Sequence, residues 1–174
     1  KDGFTMINSI HLTDSTIYGS SWASPELRPL FTEQNRVRGW LEVMSVLAEI
    51  QAEFGLIPEQ AAAEIKIAYE NLEIDEAFLK EAAEGFAKTN HSLMGLINAV
   101  KNRCGTTGGE WLCYGVTVQD ITDTHTVRTL LKVHEHFLEQ ITGIESILVD
   151  LARLHRHTIM CGRTHGQPGL PITF

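Results

Sequence analysis

Apolar side chains recur every three or four residues along most of the chain, which is the period of an α-helix. Val37, Trp40, Leu41, Met44, Leu47, Ala48 and Phe54 keep to one face, and Gly55 marks the stop. Pro58 opens a second helix with a thin stripe of Ala61, Ala62, Ile65 and Ala68. A third runs from about Asp75 to Ala87, after which Thr89-Asn90 offer a cap for a segment carrying Leu93, Met94, Leu96, Ile97 and Val100. Upstream, Ser24-Pro25-Glu26 reads as a helix start: a capping hydroxyl, a proline at the first helical position, then an acid facing the positive helix end. The first twenty or so residues are Ser/Thr/Gly-rich and read as an irregular arm.

The longest pattern comes last. Leu130, His134, Phe137, Ile141, Ile144, Leu148, Leu151 and His155 follow one another at spacings of 4, 3, 4, 3, 4, 3 and 4. Such a stripe belongs to a helix packed along its whole length against near-parallel neighbours. Counted from about Gln119 to Arg156, it spans ~57 Å at 1.5 Å per residue. A globule of 174 residues cannot bury that seam, so the pattern predicts partner helices from a missing part of the chain or from other subunits. Gly105-Thr106-Thr107-Gly108-Gly109 is the clearest break and reads as a linker. Strand alternation is suggested at His157–Cys161 alone. The predicted class is all-α: an N-terminal helical domain over residues 1–110, then the first long helix of a central bundle over residues 111–174, in a fragment of a longer protein.

Charge narrows the partners. Fourteen Lys+Arg against 22 Asp+Glu leave a net charge of −8, which gives no basic excess for phosphate backbones and argues against nucleic acid. No apolar run approaches the ~18–20 residues of a membrane helix. Lys1–Thr5 lead into no signal-peptide core. Cys104, Cys113 and Cys161 are odd in number and lack CxxC spacing, which fits reduced thiols in a cytoplasmic protein better than disulfides or a zinc site. His134/His136 and His155/His157 do not form metal sites either, because helical residues two apart point about 200° from one another.

Three segments carry polar residues that a bundle core would not choose. Gly162–Phe174 gathers glycines, prolines and His165 into what reads as a loop, where a fixed backbone presents functional side chains. His165, between Thr164 and Gly166, is open on one side, as a proton donor or acceptor must be. Gly115–Thr124 stands at the start of the long helix, where free N–H groups favour an anion and Thr117 and Gln119 add donors. The plainer reading of that segment is a cap, with Thr117 at the cap position and Asp120 as the acid at N3. Thr89-Asn90-His91-Ser92 is a further polar helix start, and by itself it reads as capping.

Taken together the three segments resemble the fumarase/aspartase superfamily of homotetrameric β-elimination lyases, in its adenylosuccinate lyase and carboxymuconate cycloisomerase branch. Gly162–Phe174 is similar to that branch's GRTHGQ-A-x-P-x-TF motif and Gly115–Thr124 to its G-x-TS-x-D-x-x-DT motif, while Ser24–Pro58 resembles the adenylosuccinate lyase opening. The resemblance implies that His165 is the general acid on the leaving nitrogen of an N-succinyl substrate and that Thr164 helps hold that substrate. It implies that Thr117 and Gln119 bind the succinyl or fumarate part, that His91 sits near the leaving group, that Tyr18 contacts substrate and that Asp120 orients its neighbours. No cofactor or metal is implied, the catalytic serine base lies downstream of this chain, and the active sites are shared between three subunits of a tetramer. Three positions depart from the pattern: Val118 replaces a carboxylate-binding serine, Ser92 an aspartate, and Ile17 an arginine that grips the nucleotide phosphate. These departures leave fumarate release in place and weaken a nucleotide substrate; the alternatives are a cycloisomerase acting on a carboxymuconate and a non-catalytic helical assembly fragment.

Overall fold

Capping chemistry sets most element boundaries in the computed structural model, which describes residues 11–174. Lys1–Thr5, read above for a signal sequence, lie outside the described residues. After the single turn α1 (Gly19–Trp22), Ser24-Pro25-Glu26 do not start a helix. The Ser24 hydroxyl is spent on the Glu26 carboxylate, and a turn leads into a 3-10 segment at Arg28–Phe31. Pro29 explains the failure, since it has no N–H to give the Pro25 carbonyl that an α-helix from Pro25 would require.

The next helices follow their signals. Helix α2 (Glu33–Glu53) is capped by Thr32, whose side chain accepts the Asn35 N–H, and the chain turns away at Gly55 with φ +67°. Helix α3 (Glu59–Asn71) begins after Pro58, and α4 (Glu76–Thr89) after Asp75, whose carboxylate accepts the Phe78 N–H at 2.8 Å. Thr89-Asn90 close α4 instead of capping its successor. Asn90 takes the left-handed conformation, φ 50°, that asparagine tolerates at a helix end. Helix α5 (Met94–Lys101) is entered through His91, whose Nδ1 accepts the Met94 N–H at 3.2 Å.

The glycine run read as a linker is also helical, as α6 (Thr106–Trp111). The Glu64 carboxylate accepts the Gly108 N–H at 2.7 Å, and a Cβ on Gly108 would come within 2.8 Å of Glu64 Cβ. The glycine lets α6 lie directly on α3. A similar contact joins α4 to α5, where a Cβ on Gly85 would lie 2.6 Å from Gly95 Cα. Phe78, Met44, Leu93 and Ile121 are the largest fully buried side chains of the core that these helices enclose. Trp40 and Trp111 flank that core, whereas Trp22 is 64% exposed.

Helix α7 (Val118–His155) has 38 residues, close to the length expected from its stripe. The chain divides into two units between Thr129 and Leu130, so the start of α7 belongs to the first. The second unit holds the rest of α7 and an antiparallel hairpin of β1 (Ile159–Thr164) and β2 (Gln167–Thr173). Within α7 the seam residues Leu130, Phe137, Ile141, Ile144 and Leu148 are 51–59% exposed. With seven α-helices and one two-stranded sheet among the described residues, the class is mostly α as expected. No helix among them is long and apolar enough to cross a membrane.

Candidate active site

A cavity of about 310 Å³ opens in the first unit between α5 and the α6–α7 connection. His91, Met94, Ile97 and Lys101 supply the α5 wall at steps of three and four residues, one face of that helix and its lead-in turn. Cys113, Val116 and Thr117 line the other side. Cys113 and Gly115 both take positive φ, 62° and 71°, and Gln51 Nε2 donates to the Tyr114 carbonyl at 2.8 Å.

The start of α7 is pinned from below. Ile121 is buried in the core, and His125 stands edge-on to Trp40 with ring centroids 6.4 Å apart. Gly39 makes room for that imidazole, since a Cβ there would lie 2.0 Å from His125 Nδ1. Arg128 closes the contact with an ion pair to Glu42 at 2.7 Å. At the helix mouth Asp120 Oδ2 accepts the Thr117 N–H at 2.9 Å, the capping arrangement expected from the sequence. The Val118 and Gln119 N–H groups have no carbonyl a turn behind them, as at any helix start. Gln119 itself turns its amide donor to Asp123.

The electrostatics of the cavity are simple. No acidic residue lines it. Burial pushes the Cys113 thiol up to about 11, with the Lys101 ammonium acting in the opposite direction, so the thiol is protonated near neutral pH. A larger cavity of about 510 Å³, around Asn71, Asp75, Glu81 and Arg103, contains none of the candidate site residues read from the sequence. Among the described residues no group of three or more His, Cys, Asp or Glu could hold a metal ion.

In the second unit, the segment read as a loop is a hairpin with His165 at its tip. Thr164 pairs with Gln167, and the two residues between them, His165 and Gly166, have φ 45° and 72°. Two left-handed residues make the tight turn that suits twisted strands, and the imidazole at its apex is exposed. The register shifts beside Gly162, where a Cβ would meet the Leu170 carbonyl at 2.5 Å. Pro168 and Pro171 argued for a loop, yet in a two-stranded sheet every strand is an edge and proline is tolerated there.

Of the residues expected at a site, the structure brings His91 and Thr117 to one cavity. Asp120 acts on the Thr117 backbone, and Gln119 is engaged with Asp123. Tyr18 precedes α1 with its N–H on Ser15 Oγ and is 57% exposed, outside the cavity lining. Thr164 and His165 belong to the hairpin of the second unit. Sequence reasoning missed Lys101 and Cys113. Lys101 was accessible to it: counting back by helical steps from Lys101 through Ile97 and Met94 leads to His91.

Comparison with known proteins gives these motifs a context. A family model described as lyase matches residues 20–174. The N-acetyl-S-(2-succino)cysteine lyase of Dickeya dadantii (strain 3937) is 36% identical over 94% of this chain and 35% of its own length. The adenylosuccinate lyase of Methanocaldococcus jannaschii is 33% identical over 88% of this chain and 32% of its own length. Among solved structures, the β-carboxy-cis,cis-muconate cycloisomerase of Acinetobacter calcoaceticus sp. ADP1 shares the fold, with a TM-score of 0.78 and 23% identity over 90% of this chain and 37% of that one. The chain thus spans about a third of the length of the curated relatives it matches. It belongs to this lyase family, within the fumarase/aspartase superfamily.

Proposed function

We propose that the protein carrying this chain releases fumarate from a succinylated substrate by β-elimination, with nitrogen or sulfur as the leaving atom. The observation that carries the reading is the meeting of His91 and Thr117, drawn from separate motifs, on one cavity. The lyase membership and the succinyl compounds in the relatives' names support it.

The chemistry needs three things. A base takes a proton from the CH2 carbon of the succinyl group, and the electron pair moves into the adjacent carboxylate. Donors at the mouth of α7, with Thr117 among them, stabilise the two negative charges that gather on the oxygens of that carboxylate. The bond to the leaving atom then breaks as His165 gives that atom a proton, yielding fumarate and the protonated leaving group. His91 stands by the leaving group, while Thr164, Gln119 and Tyr18 hold substrate and Asp120 orients Thr117. The base comes from a part of the protein outside this chain. We place the two halves of the site in different subunits of a homotetramer, which the exposed α7 seam supports. No cofactor is required.

Ile17, standing where the resemblance calls for an arginine that grips the nucleotide phosphate, favours a substrate without that phosphate. The assay is fumarate formation by the protein carrying this chain, with N-acetyl-S-(2-succino)cysteine and adenylosuccinate as parallel substrates. His165→Ala is expected to lower kcat roughly 10²–10⁴-fold while fumarate still binds by calorimetry. Turnover near that of the unsubstituted protein would remove His165 from the reaction. Lactone formation from a carboxymuconate, without fumarate from either succinyl compound, would replace the lyase reading with the cycloisomerase one.

A further inference from the structure

We infer that Lys101 is a specificity-determining residue that binds a carboxylate carried by the leaving group, so that the preferred substrates are succinyl adducts of small acidic compounds such as N-acylated amino acids. The inference rests on the fumarate-releasing reading above and deepens it.

The geometry comes from α5. His91 enters the cavity just before the helix, and Lys101 enters it at the last turn. Met94 to Lys101 is seven residues, a rise of roughly 10 Å. A substrate whose succinyl part lies at Thr117 and His91 therefore has Lys101 within reach of groups several bonds beyond the leaving atom. Between the polar ends the wall is Met94 and Ile97, suited to a short aliphatic stretch.

Charge points the same way. In a chain of net charge −8, this cavity has no acid in its lining and one lysine. Lys101 takes part in none of the ion pairs found among the described residues. Lys101 and Cys113 line the same cavity, and the ammonium opposes the rise that burial gives the thiol. An anion bound there meets a cation that none of these ion pairs engages. The part of the cavity that this chain encloses, about 310 Å³ around one lysine, has room for an amino-acid-sized group.

Lys101 also sits in the last turn of α5, where a cation favours the helix dipole, and that role would affect stability without affecting substrate choice. The test therefore reads a ratio. In the protein carrying this chain, kcat/KM for fumarate release is measured with N-acetyl-S-(2-succino)cysteine and with its neutral carboxamide at the cysteine carboxyl. Lys101→Met is expected to cut the acid-to-amide preference by about tenfold or more, mainly through KM, and Lys101→Arg to keep most of it. An unchanged ratio in Lys101→Met, or a protein that shows no preference for the acid, overturns the assignment of Lys101 and leaves the lyase reading standing. No fumarate from either compound or from adenylosuccinate overturns both. Fumarate from adenylosuccinate alone overturns the carboxylate assignment in favour of a phosphate-bearing leaving group.

Discussion

The two units treat their apolar residues in opposite ways. Up to Thr129, helices α2 to α6 and the first turns of α7 close on one another, and Phe78, Met44, Leu93 and Ile121 are sealed from water. Beyond it, α7 carries an equally regular apolar stripe, yet Phe137, Ile141 and Ile144 remain more than half exposed. The same period thus yields a finished core in one place and an unsatisfied surface in the other. Helical pattern alone specifies a face and says nothing of what covers it.

Paired truncations test this contrast most strongly. Phe78→Ala is expected to destabilise the chain by about 3–5 kcal/mol, since it empties a sealed site. Phe137→Ala, at a side chain 53% exposed, should cost less than about 1 kcal/mol in this chain. Denaturant unfolding of both variants gives the comparison, and a cost above ~2 kcal/mol at Phe137 would mean that another helix already covers the seam.

Glycines offer a smaller version of the same experiment. A Cβ on Gly95 would come within 2.2 Å of the Ala82 carbonyl, so Gly95→Ala should destabilise by about 1–3 kcal/mol. A Cβ on Gly143, inside α7, meets nothing within 4 Å, and Gly143→Ala should stabilise by roughly 0.5–1 kcal/mol. Thermal unfolding of the two variants should therefore shift in opposite directions; a lower midpoint for Gly143→Ala would place a neighbour against that face.

The smallest effect concerns pH. Hydrogen bonds from the Gly108 N–H first, and from Gln60, hold the Glu64 carboxyl below the usual glutamate range. A carboxylate with a depressed folded pKa contributes its stability above the ordinary value and loses it as pH falls through the depressed one. Glu64→Gln should therefore shallow the decline in stability between about pH 6 and about pH 3. An unchanged acid profile would show that the α3–α6 contact does not depend on that charge.

Hydrophobic spacing alone was enough to read α2, α3 and the 38-residue α7 from the chain, because a 3.6-residue period survives any arrangement of neighbours. Breaks in that spacing set apart the three polar segments holding His91, Thr117 and His165, and the family resemblance supplied the site role of His91. The glycine run at Gly105–Gly109 defeated hydrophobic spacing as a guide, because local propensity marks glycine as a breaker and only the close approach of α3 makes it a helix residue. The prolines of Gly162–Phe174 misled for a related reason: whether a strand is an edge, and so tolerates them, is set by its pairing. Cys113 joined the lining of the His91 cavity only when α5 and the α6–α7 connection were brought face to face. Periodicity is a property of neighbours along the chain and was readable there; a cavity is a property of neighbours in space, and only the packed structure could define it.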